Sequence, residues 1–295
     1  MNGLVRLTAR AKLTLSLRVT GVRPDGFHEL EALVTSIGEP VDSVYVRLLG
    51  GREIQGTVPE LRIGGPAARG LPEDDRNLAL RAARALTADP VQITLHKTIP
   101  AGGGLGGGSA DAAAVLAGLV HLGVAPEAGD DLSDIAAGLG SDIPFCLVGG
   151  LAWMRGRGEL IEPREPLAGP ELVVAVPPFA LSTPAVYRAW DALGGPRSTR
   201  VCAAPTPEIA ALLPGGLVND LEPAAEAVEP RLRPFREEVE AVCSLPAVLA
   251  GSGSAYFIPL PAGAGASKLA AEVARATGAT TWATRPVRQG VEVAG

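Results

Sequence analysis

Six glycines lie within the seven residues 102–108, interrupted only by Leu105, and Ser109 follows them. Glycine costs about 0.5–1 kcal/mol relative to alanine inside a helix or strand, so this run indicates a loop that turns tightly and admits a close neighbour. The alternating segment 91–96 before the loop predicts a strand, and the alanine-rich segment 109–122 after it predicts a helix with Ser109 near its N-cap. Unpaired N–H groups and the positive end of the helix dipole would face the loop, which is the chemistry of a phosphate site.

Two familiar phosphate motifs fit this loop poorly. Gly102, Gly104 and Gly107 match G-x-G-x-x-G, but Pro100 stands between strand and loop, and no clear βαβ unit precedes them. The P-loop requires a lysine followed by Ser or Thr after the glycines, and no such lysine follows here. A flexible linker is a further alternative, although the loop is short and lies between two regular segments. The sequence therefore predicts a phosphate loop of a third kind.

Two charged residues stand where chemistry is possible. Lys12 lies on the polar face of an alternating segment, 11–20, where a solvated lysine is the ordinary interpretation. Asp142 lies between a Gly-Ser turn and the apolar run Ile-Pro-Phe, where a helix-capping role is an equal alternative. Phe27 and His28 follow a Pro-Asp-Gly turn, and roles in the core or on the surface are common for such residues. The pattern alone leaves these alternatives open.

The other segments alternate between strand-like and helix-like patterns without an internal repeat. Residues 50–76 predict a hairpin with loops, and residues 157–170, rich in Pro, Glu and Gly, indicate a domain junction. Strands are predicted at 29–37, 44–49, 146–154, 171–176 and 280–288, and helices at 76–86, 132–139 and 266–277, from Thr183 through Trp190, and between Asn219 and Cys243.

Composition limits the class of protein. The chain has 295 residues, enough for two domains or one large one, and 47% are hydrophobic. A net charge of −6 argues against a nucleic-acid surface, which needs a basic patch. The absence of a long apolar run and of a signal-peptide pattern predicts a cytoplasmic protein without membrane contact. Three scattered cysteines form neither a metal pattern nor a disulfide framework, and we expect them to be buried thiols.

Several ordered motifs resemble those of the GHMP kinases, which phosphorylate small alcohols with ATP. They are Ala11-Lys12-Leu13, the segment 23–30, Arg76-Asn77-Leu78, the loop 102–111, the segment 140–145 and Gly251-Ser252-Gly253-Ser254. Most members carry Gly-Leu-Gly-Ser-Ser in the loop. This loop is similar instead to the branch that phosphorylates a methylerythritol bearing a cytidine diphosphate group, on the non-mevalonate route to isoprenoid precursors. The resemblance extends over residues 9 to 288.

The resemblance implies an α+β fold in two domains, with ATP and substrate in the cleft between them. Residues 1–160 would form an ATP-binding domain similar to the second domain of ribosomal protein S5, and residues 161–295 a ferredoxin-like domain. ATP would enter with Mg²⁺ held mainly through its phosphates, and the sequence offers no carboxylate cage, so no protein metal ligand is assigned. We expect a monomer or homodimer that binds no nucleic acid.

The resemblance also implies roles for individual residues. Asp142 would accept the proton of the substrate hydroxyl, and Lys12 would pair with it and stabilise negative charge on the transferred phosphoryl group. His28 would hydrogen-bond a cytosine ring stacked between Phe27 and Tyr187. The substrate site would also include Thr14 and Thr183, and the ATP site would comprise Asn77, Lys97, Pro100, Gly102, Gly103, Gly104, Leu105, Gly106, Gly107, Gly108, Ser109 and Ala110. Two residues depart from the branch, which commonly has Asn at Thr14 and Pro at Arg10.

Two other functions remain alternatives. A GHMP kinase for homoserine or a sugar would lack the cytosine contacts. A catalytically silent regulatory or RNA-binding protein could use the same scaffold, but the acidic balance and the presence of both Lys12 and Asp142 speak against it.

Overall fold

The computed structural model describes residues 3–49, 59–124, 126, 131–166, 170–204, 206–261 and 263–294. In chain order the first part contains β1 (Leu4–Val22), β2 (His28–Leu48), β3 (Glu60–Gly64), α1 (Leu78–Leu86), β4 (Val91–His96), α2 (Gly107–His121), α3 (Leu132–Leu139), α4 (Ile143–Val148), β5 (Leu151–Gly156) and β6 (Leu160–Arg164). The second part contains β7 (Leu172–Val176), α5 (Thr183–Ala192), α6 (Pro207–Leu212), α7 (Glu222–Val228), α8 (Leu232–Cys243), β8 (Val248–Leu249), β9 (Tyr256–Pro259), α9 (Ala266–Thr277), β10 (Thr280–Thr284), β11 (Pro286–Val287) and β12 (Val291–Val293).

The first sheet is built around β1 and β2, in the order β12-β1-β2-β4-β3. β5 and β11 also pair with β2, and β6 pairs with β5. The strands predicted at 29–37 and 44–49 are one strand, β2, because it pairs with β1 along nearly its whole length, from Val22↔His28 to Leu4↔Arg47. One half of β2 pairs with β5 and the other half with β4. β2 is therefore an interior strand with partners on both of its edges.

A βαβ unit directly precedes the glycine loop, contrary to the expectation from sequence. β3 pairs with β4 in parallel, and α1 connects them. The hairpin predicted at 50–76 is therefore wrong for the described part of that segment, while residues 50–58 lie outside the described residues. The parallel pairing arises because α1 carries the chain back before β4 begins.

α2 packs tightly on the first sheet because its face consists of small residues. Ala112, Ala113 and Ala114 are fully buried. A Cβ at Gly118 would meet Leu7 Cδ1 at 2.9 Å, so glycine permits this close approach of helix to sheet. The packing holds the N-terminus of α2 at one end of the sheet.

The segment predicted as a strand at 146–154 begins as a helix instead. α4 runs from Ile143 to Val148, and only then does β5 follow. Pro144 in the first turn favours a helix start, and Gly149 and Gly150, with φ of +69° and +73°, end the helix before the strand.

The second sheet has the order β10-β7-β9-β8. The strand predicted at 280–288 is divided, because β10 pairs with β7 in this sheet whereas β11 pairs with β2 in the first. β6 and β12 also belong to the first sheet. The proposed boundary between residues 160 and 161 therefore lies at the start of a first-sheet strand, and the division into 1–160 and 161–295 stays a prediction.

Two simpler expectations concern the core and the membrane. The cysteines Cys146, Cys202 and Cys243 are buried and unpaired, and burial raises the pKa of each thiol. Among the helices that the structure describes, none is long and apolar enough to cross a membrane.

Candidate active site

The glycine loop turns from β4 into α2 through left-handed backbone. Gly102, Gly104 and Gly106 have φ of +71°, +76° and +71°, a region that favours glycine. Gly106 is the N-cap of α2, and no side chain caps this end of the helix. The N-cap predicted at Ser109 is therefore wrong, because the turn closes at Gly106 and Ser109 lies within the first turn. Uncapped N–H groups at the positive end of α2 suit an anion.

The loop packs against the second glycine turn, 251–254, which connects β8 and β9. Gly102 O accepts a hydrogen bond from Ser254 N at 3.2 Å. A Cβ at Gly104 would overlap the carbonyl oxygen of Ala250, so a side chain does not fit there. Backbone contacts thus fix the loop between the two sheets.

Lys12 extends from β1 to this loop and meets Asp142. Its backbone N–H donates to Leu105 O at 3.0 Å. Its Nζ lies 3.2 Å from Thr14 Oγ1 and 3.4 Å from Asp142 Oδ2. Lys12 is 8% exposed, whereas the side chain of Asp142 is 36% exposed. A buried ammonium group therefore faces a carboxylate that a substrate can reach.

Local backbone geometry favours this pair. β1 has a register shift between Arg10 and Lys12, and such a bulge re-aims the side chains next to it. Asp142 occupies the N-cap position of α4, but its side chain accepts no capping hydrogen bond. The capping alternative for Asp142 does not describe this structure, and its carboxylate is directed to Lys12 instead.

The polar face of β1 is covered rather than solvated. Thr14 and Ser16 are buried. Ser16 Oγ donates to Val218 O at 3.2 Å, and the side chain of Arg18 pairs with Asp220 at 2.7 Å. The chain before α7 packs on this face, so both faces of β1 contribute to the interior, and the solvated-lysine interpretation of Lys12 is wrong.

Lys97 lies beneath the loop in a buried charged cluster. Its ammonium group contacts Asp42 and Asp111 and lies 3.4 Å from Gly107 O. Burial raises the pKa of Asp111 to about 8, although Lys97 opposes the shift. Burial lowers the pKa of Lys97, but the two carboxylates outweigh this effect and raise it. The side chain thus supports the start of α2, and its predicted contact with adenosine stays a prediction.

Sequence reasoning missed Asp42 and Asp111 as supports of the loop. A signal was present for Asp42, because strand alternation places it on the same face as Val44 and Val46, which are both buried in the core. A charged residue on an apolar face indicates a buried partner. Asp111 is likewise a charged residue within an alanine-rich helical segment, which indicates a buried partner.

Asn219 is a third positioning residue that sequence reasoning missed. Its Nδ2 donates to Leu249 O at 2.8 Å and to Gly251 O at 2.7 Å, and the residue is buried. These bonds hold the second glycine turn, where Ser252 Oγ lies 2.7 Å from Thr183 Oγ1. The predicted substrate residue Thr183 is therefore close to the phosphate loop.

The remaining predicted ATP residues lie in the loop, at its borders, or, for Asn77, at the start of α1. Asn77 caps α1, its Oδ1 accepting from Ala79 N at 2.9 Å, while its Nδ2 donates to Pro72 O at 2.8 Å. Leu105 and Ala110 are fully buried, so a contact with ATP would use their backbone. Pro100, Gly103, Gly107, Gly108 and Ser109 lie in or beside the same turn.

The structure brings two of the three predicted base-binding side chains, His28 and Tyr187, into contact. The rings of His28 and Tyr187 lie 4.7 Å apart at an angle of 36°. Burial raises the pKa of the Tyr187 hydroxyl. Phe27 is 51% exposed, and the guanidinium group of Arg157 lies 4.9 Å from its ring centre. A sandwich between Phe27 and Tyr187 stays a prediction.

Comparison with known proteins identifies the family. Residues 77–150 match the model of the GHMP kinases N terminal domain. A 4-diphosphocytidyl-2-C-methyl-D-erythritol kinase from Salinispora tropica is 39% identical over 289 residues, covering 92% of this chain and 88% of the relative. The chain belongs to the 4-diphosphocytidyl-2-C-methyl-D-erythritol kinase family. The predicted GHMP kinase family is therefore confirmed.

Solved structures agree with this family and confirm the predicted α+β GHMP kinase fold. A crystal structure of 4-(cytidine 5'-diphospho)-2C-methyl-D-erythritol kinase has a TM-score of 0.70 and 33% identity, covering 97% of this chain and all of that one. A homoserine kinase from Cytophaga hutchinsonii has a TM-score of 0.66 at 17% identity, covering 100% of this chain and 98% of that one, which indicates the fold alone. In this kinase family member, the loop, Lys12 and Asp142 form the candidate active site.

Proposed function

We propose that this chain transfers the γ-phosphoryl group of ATP to the 2-hydroxyl of 4-diphosphocytidyl-2-C-methyl-D-erythritol. The observation that carries the proposal is the pair of Lys12 Nζ and Asp142 Oδ2, 3.4 Å apart beside an uncapped helix N-terminus. The name of the Salinispora relative supports the choice of substrate. Participation in a non-mevalonate route to isoprenoid precursors follows from that substrate.

In this proposal Asp142 acts as the general base. Its carboxylate accepts the hydroxyl proton as the substrate oxygen attacks the γ-phosphorus in line. The bond from that phosphorus to the β–γ bridging oxygen breaks, and ADP leaves with the electron pair. Lys12 stabilises the negative charge that develops on the transferred group.

The loop supplies the phosphate site. The first N–H groups of α2 and the positive end of its dipole bind the ATP phosphates, and the glycines let the backbone approach them closely. Asn77 and Lys97 contribute to the adenosine end, and Thr14 and Thr183 to the polyol end. Most of the acceleration would come from positioning and electrostatics, as is general for phosphoryl transfer.

Mg²⁺ would enter with ATP. In the part of the chain that the structure describes, no group of three or more His, Cys, Asp or Glu residues is placed to hold a metal ion. In this proposal the ATP phosphates would supply most of its ligands. The ion would neutralise phosphate charge when bound.

We further infer a cytoplasmic enzyme that acts as a monomer or homodimer and does not bind nucleic acid. The net charge of −6 supports the last point, because polyanion binding needs a positive surface.

A kinase for homoserine or a simple sugar is the second candidate. The shared fold with a homoserine kinase at 17% identity leaves that activity open as an alternative. The His28–Tyr187 ring pair favours a substrate that carries a planar base. A small amino alcohol such as homoserine has no planar ring that could stack on this pair.

A panel assay tests the proposal. ADP release would be measured with the cytidylyl substrate, methylerythritol phosphate, homoserine and a simple sugar. We expect turnover with the cytidylyl substrate and little with the others. Comparable rates with homoserine or sugar would overturn the proposal in favour of a general small-alcohol kinase.

A further inference from the structure

One face of α5 links the phosphate loop to the base-binding end. Thr183, Tyr187 and Asp191 are spaced four residues apart, so they lie in a row along the helix. Thr183 contacts Ser252 beside the loop, and Asp191 contacts His28. At 1.5 Å per residue the ends of the row are about 12 Å apart. This row suits a long substrate with a reacting alcohol at one end and a base at the other.

Asp191 determines which nitrogen of His28 carries the proton. Its Oδ1 lies 2.8 Å from His28 Nε2. An ionised carboxylate only accepts hydrogen bonds, so Nε2 must be the donor. In the neutral ring Nδ1 is then left as a bare acceptor, since the partner of one ring nitrogen sets the state of the other.

Packing keeps the His28 ring in this orientation. The side chain is 10% exposed, whereas that of Asp191 is 48% exposed. Tyr187 lies against one side of the ring at 4.7 Å, and Trp190 meets it edge-on at 5.4 Å. Trp190 is itself held, because its Nε1 donates to Pro196 O at 3.0 Å. The ring is therefore a fixed element of the site.

We propose that Asp191 is a positioning residue that makes His28 selective for a base with an exocyclic amino group. The inference rests on the proposed function. Cytosine offers an amino hydrogen to the Nδ1 lone pair, whereas uracil would place a carbonyl oxygen against it. A site built for one donor pattern rejects the other strongly, because a buried polar group is left unpaired.

Two variants test the proposal kinetically. Asp191→Ala removes the acceptor, and Asp191→Asn can donate its amide hydrogen to Nε2 and so favour a proton on Nδ1. We expect KM for the cytidylyl substrate to rise about 10-fold in both variants. The ratio of kcat/KM for the cytidylyl substrate to that for the uridylyl analogue should fall about 10-fold or more, and Asp191→Asn should show the larger fall. kcat and the KM for ATP should stay within about threefold. Asp134→Asn, at an exposed aspartate of α3, is the matched control.

Nitrogen NMR provides a readout that does not depend on activity. The chain has three histidines, His28, His96 and His121, so a sample labelled in the ring nitrogens is simple to assign with a His28→Gln variant. We expect the Nε2–H form for His28 in the unaltered protein and a shift toward Nδ1–H in Asp191→Asn.

The outcomes separate this inference from the proposed function. If the unaltered enzyme fails to phosphorylate the cytidylyl substrate, the proposed function is wrong. If it does so, but base preference is unchanged in both Asp191 variants, only the role of Asp191 is wrong. An Nδ1–H form of His28 in the unaltered protein would overturn the role of Asp191 even if neither variant folded.

Discussion

Gly106→Ala should impair catalysis through Lys12. At a φ of +71° an alanine costs about 1–2 kcal/mol. Its Cβ would also lie 2.7 Å from Lys12 Cγ and 3.3 Å from Lys12 Cε, whereas carbon atoms prefer about 3.5–4.0 Å. Lys12 must therefore move by about 1 Å, which disrupts its 3.4 Å contact with Asp142. Because a 1 Å misplacement can reduce a rate about 10²-fold, we expect kcat to fall by about that factor.

Steady-state ADP release and thermal unfolding would measure the two effects separately. Gly138→Ala is the control, because a Cβ there meets no atom within 4 Å and its φ is not in the left-handed region. In a Lys12→Ala background the atoms nearest the new methyl group are gone, so Gly106→Ala should lower the residual turnover little further. A kcat of Gly106→Ala within about threefold of the unaltered enzyme would contradict this mechanism. So would a double variant whose fall in kcat equals the product of the falls in the two single variants.

Three further predictions address the proposed general base, Asp142, and two residues that support the glycine turns. Asp142→Asn should lower kcat by about 10²–10⁴ and leave ATP affinity by calorimetry nearly unchanged; a kcat near that of the unaltered enzyme would exclude a general base. Asp111 has a folded-state pKa of about 8, above an unfolded value of about 3.9, so it makes stability fall as pH rises from about 4 to 8. Asp111→Asn should flatten that slope in thermal unfolding at pH 5 and 8, and an unchanged slope would contradict the assignment. Asn219→Ala loses the hydrogen bonds to Leu249 O and Gly251 O that hold the second glycine turn, so the free energy of unfolding should fall by about 1–3 kcal/mol in urea and KM for ATP should rise; unaltered values for both would exclude a positioning role.

Local patterns predicted the glycine loop and several of the regular elements. The strand β4 and the helices α3 and α9 begin and end where hydrophobic spacing and turn residues indicate. Two of the wrong predictions have different causes: local helix signals outweigh a strand-like pattern in one, and a change of sheet divides the other. The segment 146–154 begins as α4 because proline and two glycines define the helix ends, and 280–288 divides because the chain passes from one sheet to the other.

The amino-acid sequence was sufficient to predict a strand, a tight glycine turn and a helix in that order over residues 91–122, because φ preference and hydrophobic periodicity act within a few residues. Motifs also identified Lys12 and Asp142 as candidates. The tertiary structure was needed to show that these two lie 3.4 Å apart and that Lys97 is buried between carboxylates. Such pairs depend on which distant segments cover each face of a strand, and alternation within the strand carries no information about that cover.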